Sequence, residues 1–148
     1  MSKLGRYSAD RKKIQEIDDS AAGVSVTVAD CGTIFVLKNK AQAVTIQLPK
    51  IADAGKGWWC KFVRGQAGGG NADVTIAVDT DDADKYHATN ISGSRTANGT
   101  AHGSGSDGVV FDVSACNVGD QHETVCDGAI WYGQSFSSGT AAIIRRDA

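Results

Sequence analysis

The densest group of reactive side chains in this sequence is acidic. Four carboxylates fall within six residues, at Asp79, Asp81, Asp82 and Asp84. Carboxylate oxygens suit Ca²⁺, but this segment lacks the glycine at the bend and the closing glutamate of an EF-hand loop. The pattern therefore predicts a solvated acidic loop, and a cation site or a contact with a basic surface are the alternatives.

The histidines and cysteines do not form a metal-binding pattern. No histidines are spaced as HxH or HExxH, and no two cysteines form a CxxC motif. We expect no metal and no cofactor. The cysteines are predicted to be free, mostly buried thiols, with a disulfide or a metal site as the alternative. These residues are His87, His102, His122, Cys31, Cys60, Cys116 and Cys126.

The sequence also contains no recognisable catalytic motif. Nucleophilic catalysis needs a nucleophile, a base and an orienting group, and the Gly/Ser-rich residues 103–108 contain no Gly-x-Ser-x-Gly elbow. The glycine-rich residues 65–70 lack the Lys-Ser/Thr pair of a phosphate-binding loop. We therefore predict no catalytic residues and no enzymatic activity.

Two aromatic pairs, Trp58-Trp59 and Trp131-Tyr132, are the strongest candidates for binding. Neighbouring residues of a strand point to opposite faces, so one ring of each pair is expected in the core and the other outside. Tryptophan and tyrosine are enriched at interfaces. We select Trp59, Tyr86 and Tyr132 as candidates for an oligomer interface, and a sugar-binding platform is the alternative.

The N-terminal segment is basic, whereas the rest of the chain is acidic. Residues 1–13 carry five basic side chains against Asp10, a net charge of +4, which leaves −6 for the remainder of a chain of net charge −2. This asymmetry predicts an arm that docks on an acidic surface, with a solvated tail as the alternative. The selected contact residues are Lys3, Leu4, Arg6, Tyr7, Arg11, Lys12 and Lys13.

Length and composition limit the number of domains, the kinds of partner and the cell compartment. A chain of 148 residues is expected to be one domain with one core. Its net charge of −2 argues against bulk nucleic-acid binding. No apolar run reaches the roughly 18 residues that span a bilayer, and the basic N-terminus lacks the apolar segment of a secretory signal. We therefore expect no membrane partner and a protein that matures in a cytoplasm.

The elements that must position these residues are short strands. Alternating apolar residues and Gly, Asn and Asp turns predict an all-β, antiparallel β-sandwich or barrel of about eight or nine short strands. An N-terminal arm (1–20) precedes the β-domain (21–148), as a helix over 9–17 capped by Ser8 or as an extended segment. Residues 79–107 are expected to form a long loop. The predicted strands are 24–28, 31–37, 44–48, 58–63, 74–78, 109–113, 123–126, 129–133 and 141–144, and Asp127-Gly128 is predicted as a two-residue hairpin turn.

Several segments together resemble a known module. TIQLP (45–49) precedes a glycine-bearing loop, GWWCKFV follows at 57–63, and DGAIW closes the pattern at 127–131. The order resembles a small β-module of tailed-bacteriophage virion proteins, T-x-x-L-P, then G-x-x-x-x-F-V, then D-G-x-x-W. The opening GRYSADRKK (5–13) is similar to short phage capsid decoration, or cement, proteins.

The resemblance carries functional expectations. It implies a virion protein that is made in the bacterial host cytoplasm, binds the outer surface of the major capsid shell and stabilises it. It also implies self-association, expected as a homotrimer. The alternative is a receptor- or carbohydrate-binding appendage of the tail or head.

Overall fold

The computed structural model describes residues 12–21, 23–67, 69, 72–92, 100–139 and 141–146, and these form a mostly β protein. One helical turn, α1 (Ile51–Ala54), and two 3-10 turns, Val28–Asp30 and Thr80–Asp82, connect the strands. The strands are β1 (Lys13–Ile17), β2 (Gly23–Ser25), β3 (Thr33–Leu37), β4 (Val44–Gln47), β5 (Trp59–Arg64), β6 (Val74–Ala77), β7 (Tyr86–Ser92), β8 (Thr100–Ser106), β9 (Gly108–Phe111), β10 (Gln121–Cys126), β11 (Trp131–Ser137) and β12 (Ile143–Arg146).

The strands form two mixed sheets. The large sheet has seven strands in the order β1-β3-β5-β10-β11-β7-β8, and the small sheet has five in the order β12-β9-β6-β4-β2. The buried faces of both sheets contribute to one hydrophobic cluster. The prediction of an all-β fold is confirmed at this coarse level, but the expected antiparallel pairing is wrong because both sheets contain parallel pairs.

The first half of the chain winds between the two sheets. Odd-numbered strands β1, β3 and β5 pair in parallel in the large sheet, and β2, β4 and β6 pair in parallel in the small sheet. Each coil thus supplies one strand to each sheet, as in a β-solenoid. Lys13 pairs with Thr33, 20 residues on, whereas Ile34 pairs with Lys61, 27 residues on. Unequal coils of this kind leave no repeat in the sequence.

The N-terminal boundary also differs from the prediction. Residues 13–17 form β1, which pairs with β3, so of the two predicted forms of the arm the extended one, and not the helix over 9–17, is correct for this part. The β-domain therefore begins before residue 20. Lys13 is bound to the body by an ion pair, with 2.9 Å between its Nζ and Oδ1 of Asp30.

The segment predicted as a long loop, 79–107, contains the turn Thr80–Asp82 followed by β7 and β8. The prediction was wrong because the inward face of β7 is not continuously apolar. Tyr86, Ala88 and Asn90 are all buried there. The Asn90 amide is satisfied by donating to the Ile143 carbonyl at 3.2 Å and accepting from the Ser137 hydroxyl at 2.9 Å.

The C-terminal hairpin is confirmed, although its turn is longer than predicted. β10 and β11 pair antiparallel with Cys126 opposite Trp131, so residues 127–130 form the connection. The carboxylate of Asp127 accepts the N–H groups of Ala129 and Ile130, each at 2.8 Å. Asp127 thus organises a four-residue turn, and the return strand begins two residues later than expected.

The aromatic core joins the two halves of the large sheet. Trp58 and Trp131 meet edge to face with ring centroids 5.5 Å apart, and Trp58 Nε1 donates to the Val28 carbonyl at 3.0 Å. Phe35 and Phe62 stack at 5.3 Å. Edge-to-face and offset rings add to the stabilisation from burial. Trp58 and Phe62 are both buried, so Trp58 is the core member of its aromatic pair.

Candidate functional site

The candidate site is the outer face of the large sheet, defined by the side chains that alternate with the buried ones along six strands. Register pairing places them on one surface, because directly paired residues of neighbouring strands point to the same side. The outer face comprises Ile14, Glu16, Ile34, Val36, Trp59, Lys61, Val63, Gln121, Glu123, Val125, Tyr132, Gln134, Phe136, His87, Thr89 and Ile91.

One edge of the outer face is an aromatic row. Trp59 pairs with Val125, Val125 with Tyr132, and Tyr132 with His87. The Trp59 ring lies over Gly32, where an added Cβ would be 3.7 Å from the ring. The Tyr132 side chain is 44% exposed and its ring centroid lies 6.3 Å from that of His87. A large apolar surface therefore faces solvent.

A second apolar row lies two residues farther along the strands. Val36 pairs with Val63, which is followed across the sheet by Gln121, Phe136 and Ile91. Phe136 and Ile91 are each 45% exposed. Exposed aromatic and aliphatic side chains grouped on one surface mark an interaction site more often than isolated ones do.

Between these rows runs a polar row. Lys61 of β5 and Glu123 of β10 are direct register partners in the central strands of the large sheet. Ile34 flanks the lysine and Gln134 flanks the glutamate. The outer face thus combines two largely apolar rows, the second of which begins with Glu16 beside Val36, with one adjacent pair of opposite charges in the polar row between them.

The charge of Asp127 modifies the aromatic row at Tyr132. It raises the pKa of Tyr132 above its ordinary value, because ionising the phenol next to a carboxylate is unfavourable. Backbone N–H donors from Ala129 and Ile130 lower the pKa of Asp127. The phenol of Tyr132 is therefore neutral and able to donate a hydrogen bond at neutral pH.

The outer face of the small sheet is different in character. Its residues are mostly small or polar: Gly23, Ser25, Thr45, Gln47, Thr75, Val110 and Ile144. Antiparallel and mixed sheets commonly leave such a face to solvent. The contrast indicates that the apolar character of the large sheet's outer face is specific to that side of the molecule.

Two of the three predicted interface residues lie on the outer face of the large sheet. Trp59 and Tyr132 belong to the aromatic row. Tyr86 does not, because its side chain is fully buried. The prediction for Tyr86 is corrected: its neighbour His87 is the outward residue of β7. The sequence reading missed Phe136 and Ile91, although both alternate with buried residues of their strands.

Tyr86 instead belongs to a polar cluster in the core. Its hydroxyl hydrogen-bonds to Nε2 of His122, and Nδ1 of His122 lies 2.7 Å from the Ser135 hydroxyl. A serine–histidine pair can act as nucleophile and base. All three side chains are fully buried here, and a Cβ at Gly133 would lie 2.6 Å from the His122 ring. The cluster is packed too closely to admit a substrate.

The acidic residues 79–84 join their own loop to the loop that contains Lys50. Lys50 contacts Asp81 and Asp79, with 3.7 Å between Lys50 Nζ and Asp79 Oδ1. Asp82, predicted to be solvated, is buried and accepts the N–H of Ile51 at 2.8 Å. Within the described residues, no three histidine, cysteine or acidic side chains are arranged to hold a metal ion.

The remaining predicted residues are distributed over the chain. In the described part, the thiols are free, with Cys31 exposed and Cys60, Cys116 and Cys126 buried. Of the arm, Lys12 is exposed and Lys13 belongs to β1. The other arm positions, Lys3, Leu4, Arg6, Tyr7 and Arg11, and the side chain of His102, lie outside the described residues.

A buried charge that the sequence did not reveal lies at the end of β5. Arg64 is 1% exposed and donates to Oδ1 of Asn39 at 2.6 Å and to the Asn39 carbonyl at 2.9 Å. Burial lowers the pKa of Arg64. The Asn39 amide in turn donates to the carbonyls of Gln42 and Ala72, each at 2.8 Å. This network ties two loops, 38–43 and 65–73, to the end of β5 in the large sheet.

Comparison with known proteins gives no family assignment. No protein-family model, no curated protein and no solved structure matches this chain. Among the described residues there is also no helix of the length and apolarity needed to cross a membrane.

Proposed function

We propose that this chain is a structural component of a phage virion, a capsid decoration protein that binds the outer surface of the major capsid shell and stabilises it. The observation that carries the proposal is the outer face of the large sheet. Its exposed Tyr132, Phe136 and Ile91 lie on neighbouring strands and form an apolar surface suited to another protein. The resemblance of the sequence to phage β-modules supports the virion assignment.

Charge distribution supports a second contact. The basic arm precedes β1 in the chain, and Lys12, the residue immediately before that strand, is exposed. An acidic patch on a capsid shell would attract such an arm, and repetition over a symmetric shell multiplies weak contacts. In this proposal the arm meets the major capsid protein and the outer face meets another copy of the chain. The protein has no catalytic role and binds neither nucleic acid nor membrane.

Particles produced with and without this protein test the proposal. A decoration protein is expected at on the order of hundreds of copies per particle on a quantitative protein gel, because shell positions repeat by symmetry. Particles that lack it should release DNA at a lower temperature. Absence of the chain from purified particles, or unchanged heat resistance without it, would contradict the proposal.

A receptor- or carbohydrate-binding appendage is the second candidate. The exposed Tyr132 ring beside His87 favours it, because an exposed aromatic face can stack on a sugar ring. An appendage predicts few copies per particle, and purified protein that blocks adsorption to host cells. Copy number and adsorption therefore separate the two functions.

A further inference from the structure

The centre of the outer face carries a charge pattern that is complementary to itself. Lys61 and Glu123 are neighbours on β5 and β10, the third and fourth strands of the large sheet. A surface that pairs with an identical copy through a two-fold axis must match itself, so that residue i meets residue j and j meets i. One lysine beside one glutamate near the centre of the face satisfies this condition.

We infer that a second copy of this chain covers the outer face, related by a two-fold axis that runs along the strands between β5 and β10. This rotation lays β5 over β10 of the second copy and preserves position along the strands. Lys61 then faces Glu123 of the second copy, and Glu123 faces Lys61 of the second copy. The interface therefore contains two identical contacts between Lys61 of one copy and Glu123 of the other.

The same rotation also matches apolar side chains. Trp59 faces Val125 of the second copy in the aromatic row, and Val36 faces Phe136 of the second copy in the other apolar row. Val125 and Phe136 are 39% and 45% exposed in the single chain. Both contacts occur twice, so four apolar contacts surround the charged centre, and sheets packed face to face bury such residues between them.

A second possible two-fold axis in the plane of the interface is excluded by charge repulsion. A two-fold axis across the strands, through the polar row, would lay each strand on itself. Lys61 would then face Lys61 of the second copy, and Glu123 would face Glu123. Like charges opposed in an interface are unfavourable. The charge pattern therefore selects the axis along the strands.

The size of the surface predicts a reversible pair. Six strands at about 4.8 Å spacing and five residues at about 3.3 Å each give roughly 500 Å² of projected area per copy. The total of roughly 1,000 Å² is near the lower end for specific protein interfaces. We expect a dimer whose population depends on concentration in the micromolar range, rather than a permanent assembly.

This inference deepens the proposed function and rests on it, since it states how a second copy meets the surface on which that function depends. It differs from the homotrimer that the sequence resemblance implies, because a face-to-face contact about a two-fold axis closes at two copies. A solution measurement tests the pairing without any particle. Failure to pair and absence from virions are therefore separate results.

The test is sedimentation of four proteins from roughly 1 µM to roughly 200 µM: the unchanged chain, Lys61→Glu, Glu123→Lys and the double variant. The unchanged chain should pass from monomer to dimer. Each single reversal opposes like charges twice and should weaken dimerisation at least about tenfold. The double variant restores both opposite pairs and should dimerise again.

An equimolar mixture of the two single variants separates interface from folding. One copy then presents two acidic side chains at these positions and the other presents two basic ones, so the mixed pair is attractive at both contacts. Dimer in the mixture supports the inference. It is overturned by an unchanged chain that stays monomeric or forms a trimer, by single variants that dimerise normally, or by a mixture that stays monomeric.

Discussion

The buried Arg64–Asn39 network gives a sharp prediction about stability. Asn39→Ala removes the side-chain acceptor that lies 2.6 Å from the Arg64 guanidinium. The main-chain carbonyl of residue 39 remains as an acceptor at 2.9 Å. The same change removes the donor to the carbonyls of Gln42 and Ala72.

The size of the expected stability loss follows from the burial of Arg64. Removing one partner of a buried charge costs about 3–5 kcal/mol, and the surviving carbonyl contact places this loss near the lower end. The buried Ala72 carbonyl, left without a donor, adds about 1 kcal/mol, whereas water can replace the donor to the carbonyl of the exposed Gln42. We expect Asn39→Ala to lower the free energy of unfolding by about 3–5 kcal/mol, a large share of the roughly 5–15 kcal/mol of a typical domain.

Urea unfolding followed by tryptophan fluorescence measures this loss, since buried Trp58 and Trp131 report on the core. Asn117→Ala is the matched control. The Asn117 amide also donates to a side chain, Ser138 at 2.7 Å, but it does so at the surface, and its loss should cost no more than about 0.5 kcal/mol. A loss below about 1 kcal/mol for Asn39→Ala would refute the reasoning.

Three further variants test other parts of the fold. Gly108→Ala should prevent stable folding, because its Cβ would lie 1.9 Å from a main-chain oxygen of β6, whereas Gly119→Ala, also at positive φ but in open space, should cost only about 1 kcal/mol. The turn N–H donors at residues 40–42 lower the pKa of Asp19, so the stabilisation from its charge is present above about pH 4 and is lost as pH falls through the lowered pKa. Asp19→Asn should therefore lower the urea midpoint at pH 7, and the difference from the unchanged chain should shrink as pH falls through the lowered pKa. Phe136→Ser should weaken dimerisation at least about tenfold, whereas Val118→Ser, which removes a more exposed side chain outside the outer face, should leave it unchanged.

Each of these variants has a result that contradicts its reason. Equal stability of the two glycine variants would mean that the close approach at Gly108 is unimportant. A midpoint difference for Asp19→Asn that is as large at about pH 2 as at pH 7 would exclude its charge as the cause. Equal dimerisation of Phe136→Ser and the unchanged chain, in the same sedimentation assay, would remove the apolar row from the interface.

The sequence predicted local strands where alternation was strong. In 58–63 the inward Trp58, Cys60 and Phe62 alternate with outward Trp59 and Lys61, and the structure bears this out. The hairpin around residue 127 was also predictable, because an Asp-Gly pair between two strand patterns favours a turn, although that turn has four residues rather than two. Local chemistry determines both features.

Pairing direction was not predictable in the same way. Alternation identifies which side of a strand is buried, but it does not identify the neighbouring strand or its direction. The parallel coils of β1 to β6 depend on contacts between residues 20 or more positions apart. Strand β7 was missed because buried Asn90 reads as a loop residue until its partner Ser137 is known.

The outer face was partly predictable for the same reason. Trp59 and Tyr132 were selected because each is the outward member of an aromatic pair. The charged centre was not, because Lys61 and Glu123 lie 62 residues apart and meet only through the β5–β10 register. The proposed pairing thus depends on topology more than on any local motif.

Cryo-electron microscopy of a phage particle that carries this protein is the most direct test of its proposed role. The decoration hypothesis predicts a two-sheet density at regularly repeated positions on the outside of the capsid shell, with the N-terminal end directed toward the shell. Density confined to the tail, or an undecorated shell on particles made with the protein present, would contradict it.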